Sequence, residues 1–166
     1  MQGRAASRLF VSVFLAAIFG AVGCSRDEAY APGLGEIMTL TQMRHAKLWF
    51  AGEAGNWALA SYELDELKEG FADAVKYHPT RRGAAVAVSD ALPKLTQRPL
   101  AGLADAIEQK DLRLFTATYD SLTNACNACH REMQFGFNVV KRPLANPYPN
   151  QTFAPVLDYP RAAAAG

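Results

Sequence analysis

The chain has 166 residues, of which 50% are hydrophobic and 20% are charged, proportions that suit one globular domain with its own core. Its 17 basic and 16 acidic side chains are interspersed and give a formal net charge of +1. Because nucleic-acid-binding proteins concentrate basic residues on one surface, this balance argues against nucleic acid as a partner.

Residues 1–23 have the pattern of an export signal. Arg4 and Arg8 precede the apolar run LFVSVFLAAIFGAVG, which ends in small residues next to Cys24. The run is shorter than the roughly 20 residues of a membrane-spanning helix, so we expect cleavage and a periplasmic protein. The letters AVGC also resemble a bacterial lipobox, in which Cys24 is acylated and tethers the protein to the membrane. Cleavage beside an incidental cysteine is the alternative.

A linker is predicted over residues 24–33, and the first helix follows it. In LGEIMTLTQMRHAKLWF the apolar residues recur at helical spacing along one side, which also includes a histidine. That side comprises Leu34, Ile37, Met38, Thr41, His45 and Leu48. We expect the turn that ends this helix to run from Gly52 to Gly55.

The segment NWALASYELDELKEGFADAVKYHP predicts a second amphipathic helix of roughly six turns. Its apolar side comprises Trp57, Ala60, Leu64, Leu67, Phe71 and Ala74. Glu63 and the charged residues that follow it are expected to lie largely on the solvent-exposed side. Pro79 is expected to end the helix.

Two prolines interrupt the next helical pattern. We expect a short helix near residues 84–92, which Pro93 ends, and a second helix over about 97–109. Pro99 would then lie in the first turn, where its missing amide is tolerated. The third helix of the fold is therefore predicted to be interrupted.

The fourth helix is predicted from Asp111 to Met133, where apolar residues alternate in steps of three and four. This stripe comprises Leu112, Phe115, Tyr119, Leu122, Cys126, Cys129 and Met133. Because the two cysteines share the stripe with the core residues, whatever they hold is expected to face inward, between the helices.

The letters CNACH, from Cys126 to His130, allow three interpretations. The cysteines of an exported protein can form a disulfide, but the alternating strands and helices of thioredoxin-like proteins are missing here. A structural zinc site needs four ligands, so His45 or His78 would have to complete it. The favoured interpretation is one covalent haem c, since CxxCH is the signature of c-type attachment. Cys126 and Cys129 would form the thioethers, and His130 would be the proximal iron ligand.

The sequence after Gly136 is rich in prolines and aromatic residues, so it cannot continue a helix. It is also too apolar to be a solvated tail, and we expect residues 139–166 to extend over the surface of the bundle. The predicted fold is all-α, an antiparallel four-helix bundle over residues 34–138 with the haem near one end.

Four helices with CxxCH close to the end of the last one resemble the class II cytochromes c, the group of cytochrome c prime and its low-spin relatives. The resemblance covers about residues 34–135, and its most specific part is DLRLFTATYDSLTNACNACH, similar in length and apolar rhythm to that family's haem helix. It implies either electron transfer or, with an open iron, binding of gases such as NO and CO. The interrupted third helix and the long tail depart from the family pattern.

The residue opposite the proximal histidine decides between these two functions. In an antiparallel bundle the start of the first helix lies level with the end of the fourth, where Met38 is found. All distances are counted from the end of the bundle where the fourth helix begins and the first helix ends. At about 1.5 Å per residue, His130 and the haem lie about 28 Å from that end, Met38 about 21 Å and His45 only about 10 Å. Met38 is therefore the preferred distal ligand, with Ile37 and Thr41 lining the pocket. His45 is the alternative ligand, or else a core histidine bonded to a polar neighbour such as Tyr62.

A methionine in the sixth position leaves the iron no vacancy and predicts an electron carrier, whose partners are redox proteins of the cell envelope. An empty sixth position predicts gas binding. Catalysis would need polar distal groups, for which His45 is the only obvious candidate, and no other catalytic motif is present, so we expect no enzyme activity. Many class II cytochromes c form homodimers, which is a further option here.

Overall fold

Four α-helices and no strands make up the regular structure of residues 30–156, the part of the chain that the computed structural model describes. The helices are α1 (Leu34–Glu53), α2 (Trp57–Tyr77), α3 (Val88–Gln109) and α4 (Leu112–Glu132). They pack as a bundle, each on the next along the chain and α1 on α4. The predicted all-α fold with four helices is therefore confirmed. None of these helices is long and apolar enough to cross a membrane.

Several predictions fall on other parts of the chain. The export signal over residues 1–23, the acylated Cys24 and most of the predicted linker lie outside the described residues, and so do the last ten residues of the tail. The described residues from Ala31 onward belong to one compact unit.

Short connections with capped ends join the helices in two pairs. The turn between α1 and α2 ends at Asn56, whose side chain accepts a hydrogen bond from the amide of Leu59 at 3.2 Å. Asp111 caps α4 in the same way, by accepting from the amide of Leu114 at 2.9 Å. Each side chain gives a partner to one of the amides that a helix start leaves unpaired. Two residues separate α3 from α4, so those helices must run antiparallel.

Aromatic side chains fill the end of the bundle where α1 ends and α4 begins. Trp49 lies 6.3 Å from Phe115 and 5.0 Å from Tyr119 between ring centroids, and Trp57 meets Phe115 edge-on at 5.9 Å. Phe115 and Tyr119 are completely buried. Gly52 lies against the Phe115 ring, so closely that a Cβ atom would overlap it. This close approach is why α1 carries a glycine inside its last turn.

The third helix is continuous, and the prediction of an interruption is wrong. α3 runs from Val88 to Gln109 with Pro93 and Pro99 both inside it. A proline inside a helix removes one amide donor and costs about 3 kcal/mol. The helix continues because its apolar side packs into the bundle, where Leu92 is 5% exposed and Leu103 is not exposed at all. Tertiary burial of this kind supplies most of the stability of a protein helix and here outweighs the cost of the prolines.

Glu63 also differs from the sequence prediction, because it is buried with 1% of its surface exposed instead of lying on the wet side of α2. Its carboxylate accepts a hydrogen bond from Arg44 of α1 at 3.2 Å, and the same guanidinium contacts Glu66 at 2.8 Å. Burial raises the pKa of Glu63, and Arg44 partly opposes this effect. The carboxylate is accommodated inside the bundle because α1 provides a matching cation.

After α4 the chain turns back and runs along the seam between α1 and α4. Arg142 forms an ion pair with Asp120 of α4 and lies 4.4 Å above the Trp49 ring of α1. Further on, the ring of Phe153 packs on that of Phe50, with centroids 5.4 Å apart, and Phe153 is 7% exposed. We call residues 138–154 the strap, since this segment covers the seam on its way back toward the start of α2.

We expect Gly52→Ala to destabilise the protein, although alanine is the better helix former by about 1 kcal/mol. The new methyl group would overlap the buried ring of Phe115, and overpacking a core typically costs about 1–3 kcal/mol. Gly35→Ala is the matched control, since a Cβ there meets nothing within 4 Å. Denaturant unfolding of both variants measures the effect. Equal stability of Gly52→Ala and the wild type would contradict the tight packing described here.

Candidate functional site

A cavity of about 220 Å³ lies at the end of the bundle where α1 begins and α4 ends. All four helices contribute apolar residues to its wall, among them Leu34, Leu67, Phe71, Ala74, Val88, Leu92 and Met133. The same wall contains Cys126, Cys129 and His130. The structure therefore brings both cysteines and the histidine of the CxxCH motif to one apolar pocket.

The two cysteines lie one helical turn apart on α4 and are free thiols. Burial raises the pKa of Cys126 to about 12, with a smaller contribution from neighbouring Cys129. Burial also raises the pKa of Cys129. Both groups are therefore protonated thiols at neutral pH. Haem attachment, metal binding and disulfide exchange each require that such a thiol lose its proton. The cavity wall around them is largely apolar, and no Lys or Arg of the described residues forms part of it.

His130 is held in a defined orientation by the chain that follows α4. Its Nδ1 atom lies 2.6 Å from the backbone carbonyl oxygen of Asn138. Because a carbonyl can only accept, Nδ1 must carry the proton and donate it. The other ring nitrogen, Nε2, then holds the lone pair that can bind a metal. This is the usual arrangement of a metal-binding histidine, whose second nitrogen donates to a backbone carbonyl or a carboxylate.

Asn127, one of the two residues between the cysteines, binds the strap. Its side-chain amide donates to the carbonyl of Val140 at 2.8 Å and accepts from the amide of Val140 at 2.8 Å. The sequence prediction missed Asn127, Asn138 and Val140. Asn127 and Val140 are 13 positions apart and His130 and Asn138 are eight apart, across an irregular segment, and no periodic pattern reveals such pairs.

Of the residues predicted for the distal side, Met38 and Thr41 line the cavity. Met38 is half-buried, and whether its sulfur ligates a metal stays a prediction. The Thr41 hydroxyl donates to the Ile37 carbonyl at 2.8 Å. Ile37 itself is buried in the hydrophobic core and is not one of the residues that form the cavity wall.

His45 borders the cavity, yet both of its ring nitrogens are engaged with α4. Nε2 lies 2.9 Å from the Thr123 hydroxyl, and Nδ1 lies 2.9 Å from the Tyr119 hydroxyl. The ring also stacks on Tyr119 with centroids 4.5 Å apart. To reach an iron, His45 would have to break one of these bonds. Its polar neighbours are thus on α4, and Tyr62, the neighbour suggested from the sequence, is half-exposed.

Burial lowers the pKa of His45 to about 4, so the ring is neutral at physiological pH. A neutral imidazole has one donor and one acceptor. The two hydroxyl groups also approach backbone carbonyls, Tyr119 that of His45 at 2.9 Å and Thr123 that of Tyr119 at 3.0 Å. One hydroxyl can therefore accept from the ring while the other donates to it. The result is a buried polar cluster in which each group has a partner.

The third histidine lies elsewhere. His78 follows the last residue of α2, and its Nε2 atom lies 2.8 Å from the carbonyl oxygen of Pro32. Within residues 30–156, no group of three or more His, Cys, Asp and Glu side chains is arranged to hold a metal ion. Neither His45 nor His78 thus completes a four-ligand zinc site with the two cysteines, as that interpretation would require.

No protein-family model, no curated protein and no solved structure matches the chain. Its function has to be inferred from the site itself.

The buried His45 predicts a specific loss of stability in acid. The unfolded chain takes up a proton near the ordinary pKa of 6.5, whereas the folded chain does so only near 4. Stability should therefore fall as the pH decreases from about 6.5 to about 4, by about 3 kcal/mol from this residue. His45→Gln, which cannot be charged, should lose correspondingly less over the same range. Denaturant unfolding at several pH values measures the difference, and parallel curves for the two proteins would refute the assignment.

Proposed function

We propose that the protein is an exported c-type cytochrome that carries one covalent haem in this cavity and transfers single electrons. The observation that carries the proposal is the convergence of Cys126, Cys129, His130 and Met38 on one apolar pocket. Two thiols, an imidazole and a thioether are the side chains that anchor and ligate a haem c.

The residues present fit such a group. The cavity wall is largely apolar, as the body of a porphyrin requires, and the two thiols lie on the same wall as the imidazole. The bond from Nδ1 of His130 to Asn138 leaves Nε2 as the nitrogen that can ligate iron. When bound, the haem would supply an iron that changes its charge by one electron.

The chain's own residues would hold the haem and control its surroundings. Cys126 and Cys129 would fix it to α4 by thioether bonds, and His130 would ligate the iron on the proximal side. Leu67 and Phe71 of α2 and Leu92 of α3 would exclude water from the pocket. A dry pocket with fixed ligands suits electron transfer, because little has to rearrange when the charge changes.

The distal side favours the electron carrier over a gas-binding protein. Met38 lies in the cavity wall, whereas the nitrogens of His45 are already bonded to Thr123 and Tyr119. A sulfur ligand from Met38 would close the sixth position and leave no vacancy for NO or CO. With that position open, the same pocket would bind such gases.

The proposed location is the periplasm, from the signal pattern of residues 1–23 and, for a lipid tether, from Cys24. The proposed partners are redox proteins of the cell envelope. Contact with a membrane would occur only through that lipid.

Covalent attachment is tested directly by mass spectrometry of the protein exported from cells that assemble c-type cytochromes. We expect the mature chain to carry the added mass of one haem, and Cys126→Ala together with Cys129→Ala to abolish the covalent adduct. An intact, folded chain without any added macrocycle would refute the proposal.

The distal ligand is tested by optical spectra of the reduced protein with and without CO. We expect a low-spin spectrum that CO does not change, since a sulfur ligand occupies the sixth position. Met38→Ala should become high-spin and bind CO. Met43→Ala is the matched control, because Met43 lies on the same helix, is also half-buried and does not line the cavity. A wild-type protein that binds CO freely would instead identify the gas-binding alternative.

A further inference from the structure

We propose that Asn127 is a positioning residue for the proximal histidine: by clamping the strap at Val140 it holds the Asn138 carbonyl against His130 and so tunes the redox potential. This inference deepens the proposed function and depends on it for the ligand role of His130. It assigns a task to a residue between the cysteines, where the attachment motif itself accepts many residue types.

The clamp consists of two hydrogen bonds that run in opposite directions. The Asn127 side chain donates to the Val140 carbonyl and accepts from the Val140 amide, each at 2.8 Å. A single bond would leave the strap free to rotate about it, whereas a pair fixes both its distance and its orientation. Asn127 is half-buried, so these bonds are partly protected from competition with water.

Val140 is two residues from Asn138, so the clamp acts close to the histidine. On the side toward α4, a tight turn connects His130 to Asn138. The amide of Phe135 donates to the His130 carbonyl at 2.6 Å, and the amide of Asn138 donates to the Phe135 carbonyl at 2.8 Å. On the other side, Arg142 is paired with Asp120. The segment that carries the acceptor carbonyl is therefore held from both ends.

Asn138 itself is exposed. An exposed carbonyl on a loose segment would exchange the imidazole for water, because a hydrogen bond at the surface contributes little net free energy. The bond of 2.6 Å between His130 and Asn138 thus requires a segment that is held in place from elsewhere. Asn127 does this from α4, the helix that also carries the histidine.

The bond matters because it changes the ligand. An Nδ1–H group that donates to a carbonyl makes the imidazole a stronger electron donor and fixes its orientation. A stronger donor favours the oxidised iron, so it lowers the midpoint potential. Loss of the clamp should weaken the bond and raise the potential.

The test compares Asn127→Leu, which keeps the size of the side chain and removes both hydrogen bonds, with Asn124→Leu. Asn124 is exposed on α4 one turn earlier and serves as the matched control. For the haem-loaded wild type and both variants, the midpoint potential and the hydrogen exchange of the Val140 amide are measured. We expect Asn127→Leu to lose roughly fivefold protection at Val140, as the loss of about one net hydrogen bond implies, and to shift to a higher potential. Asn124→Leu should match the wild type in both.

Val140→Pro provides a second test that leaves the attachment motif unchanged. Proline has no amide to donate to Asn127, so this variant should shift the potential in the same direction. The proposal is overturned if Asn127→Leu keeps full protection at Val140, or if protection is lost while the potential of both variants stays at the wild-type value.

Failure of the proposed function has a different signature. A chain without haem would have no midpoint potential to compare, and His130 would have no iron to ligate, so the tuning role would fall with it. Unchanged potentials in a chain that does carry haem would overturn the role of Asn127 alone.

Discussion

The antiparallel packing of α1 against α4 is the constraint on which the rest of the structure depends. At its centre His45 stacks on Tyr119 and bonds to the hydroxyls of Tyr119 and Thr123, all three residues being buried. A shift of one helix along the other would leave these polar groups buried without partners, which costs far more than an unmade bond at the surface. The cluster therefore sets the register of the two helices. That register brings Met38 to the same cavity as His130.

The two ends of this seam are built from different residues, and one end is tightly packed whereas the other encloses a cavity. Toward the end of α1, large rings meet a glycine and leave no space, as Phe115 does against Gly52. Toward the end of α4, cysteines and a threonine replace the large rings, and the helices enclose a cavity. The strap crosses from one end to the other, from Val140 beside the cysteines to Phe153 at the packed end. Its contacts stabilise the seam and reach the histidine of the site.

Periodicity predicted three of the four helices closely, because each of them buries one stripe of residues, and Asn56 and Asp111 cap the starts of α2 and α4. It failed for α3, where two prolines gave a strong local signal that burial of the apolar side outweighed. It also failed for Glu63, since an acidic residue next to a core stripe is normally exposed. Only the arrival of Arg44 from another helix makes its burial tolerable. Both errors come from reading one segment without its neighbours.

The amino-acid sequence by itself determined the all-α class of the fold and the spacing of the two cysteines and the histidine on the last helix. A 3.6-residue period and the spacing of two cysteines and a histidine are local properties, and they persist whatever the helices pack against. The tertiary structure alone decided which residues serve that site. The bonds of His45 to α4, the clamp from Asn127 to Val140 and the carbonyl of Asn138 beside His130 all join segments that are not adjacent in a helical period. Their partners are chosen by the register of the bundle and the path of the strap, which depend on the whole core and not on any one stretch of the chain.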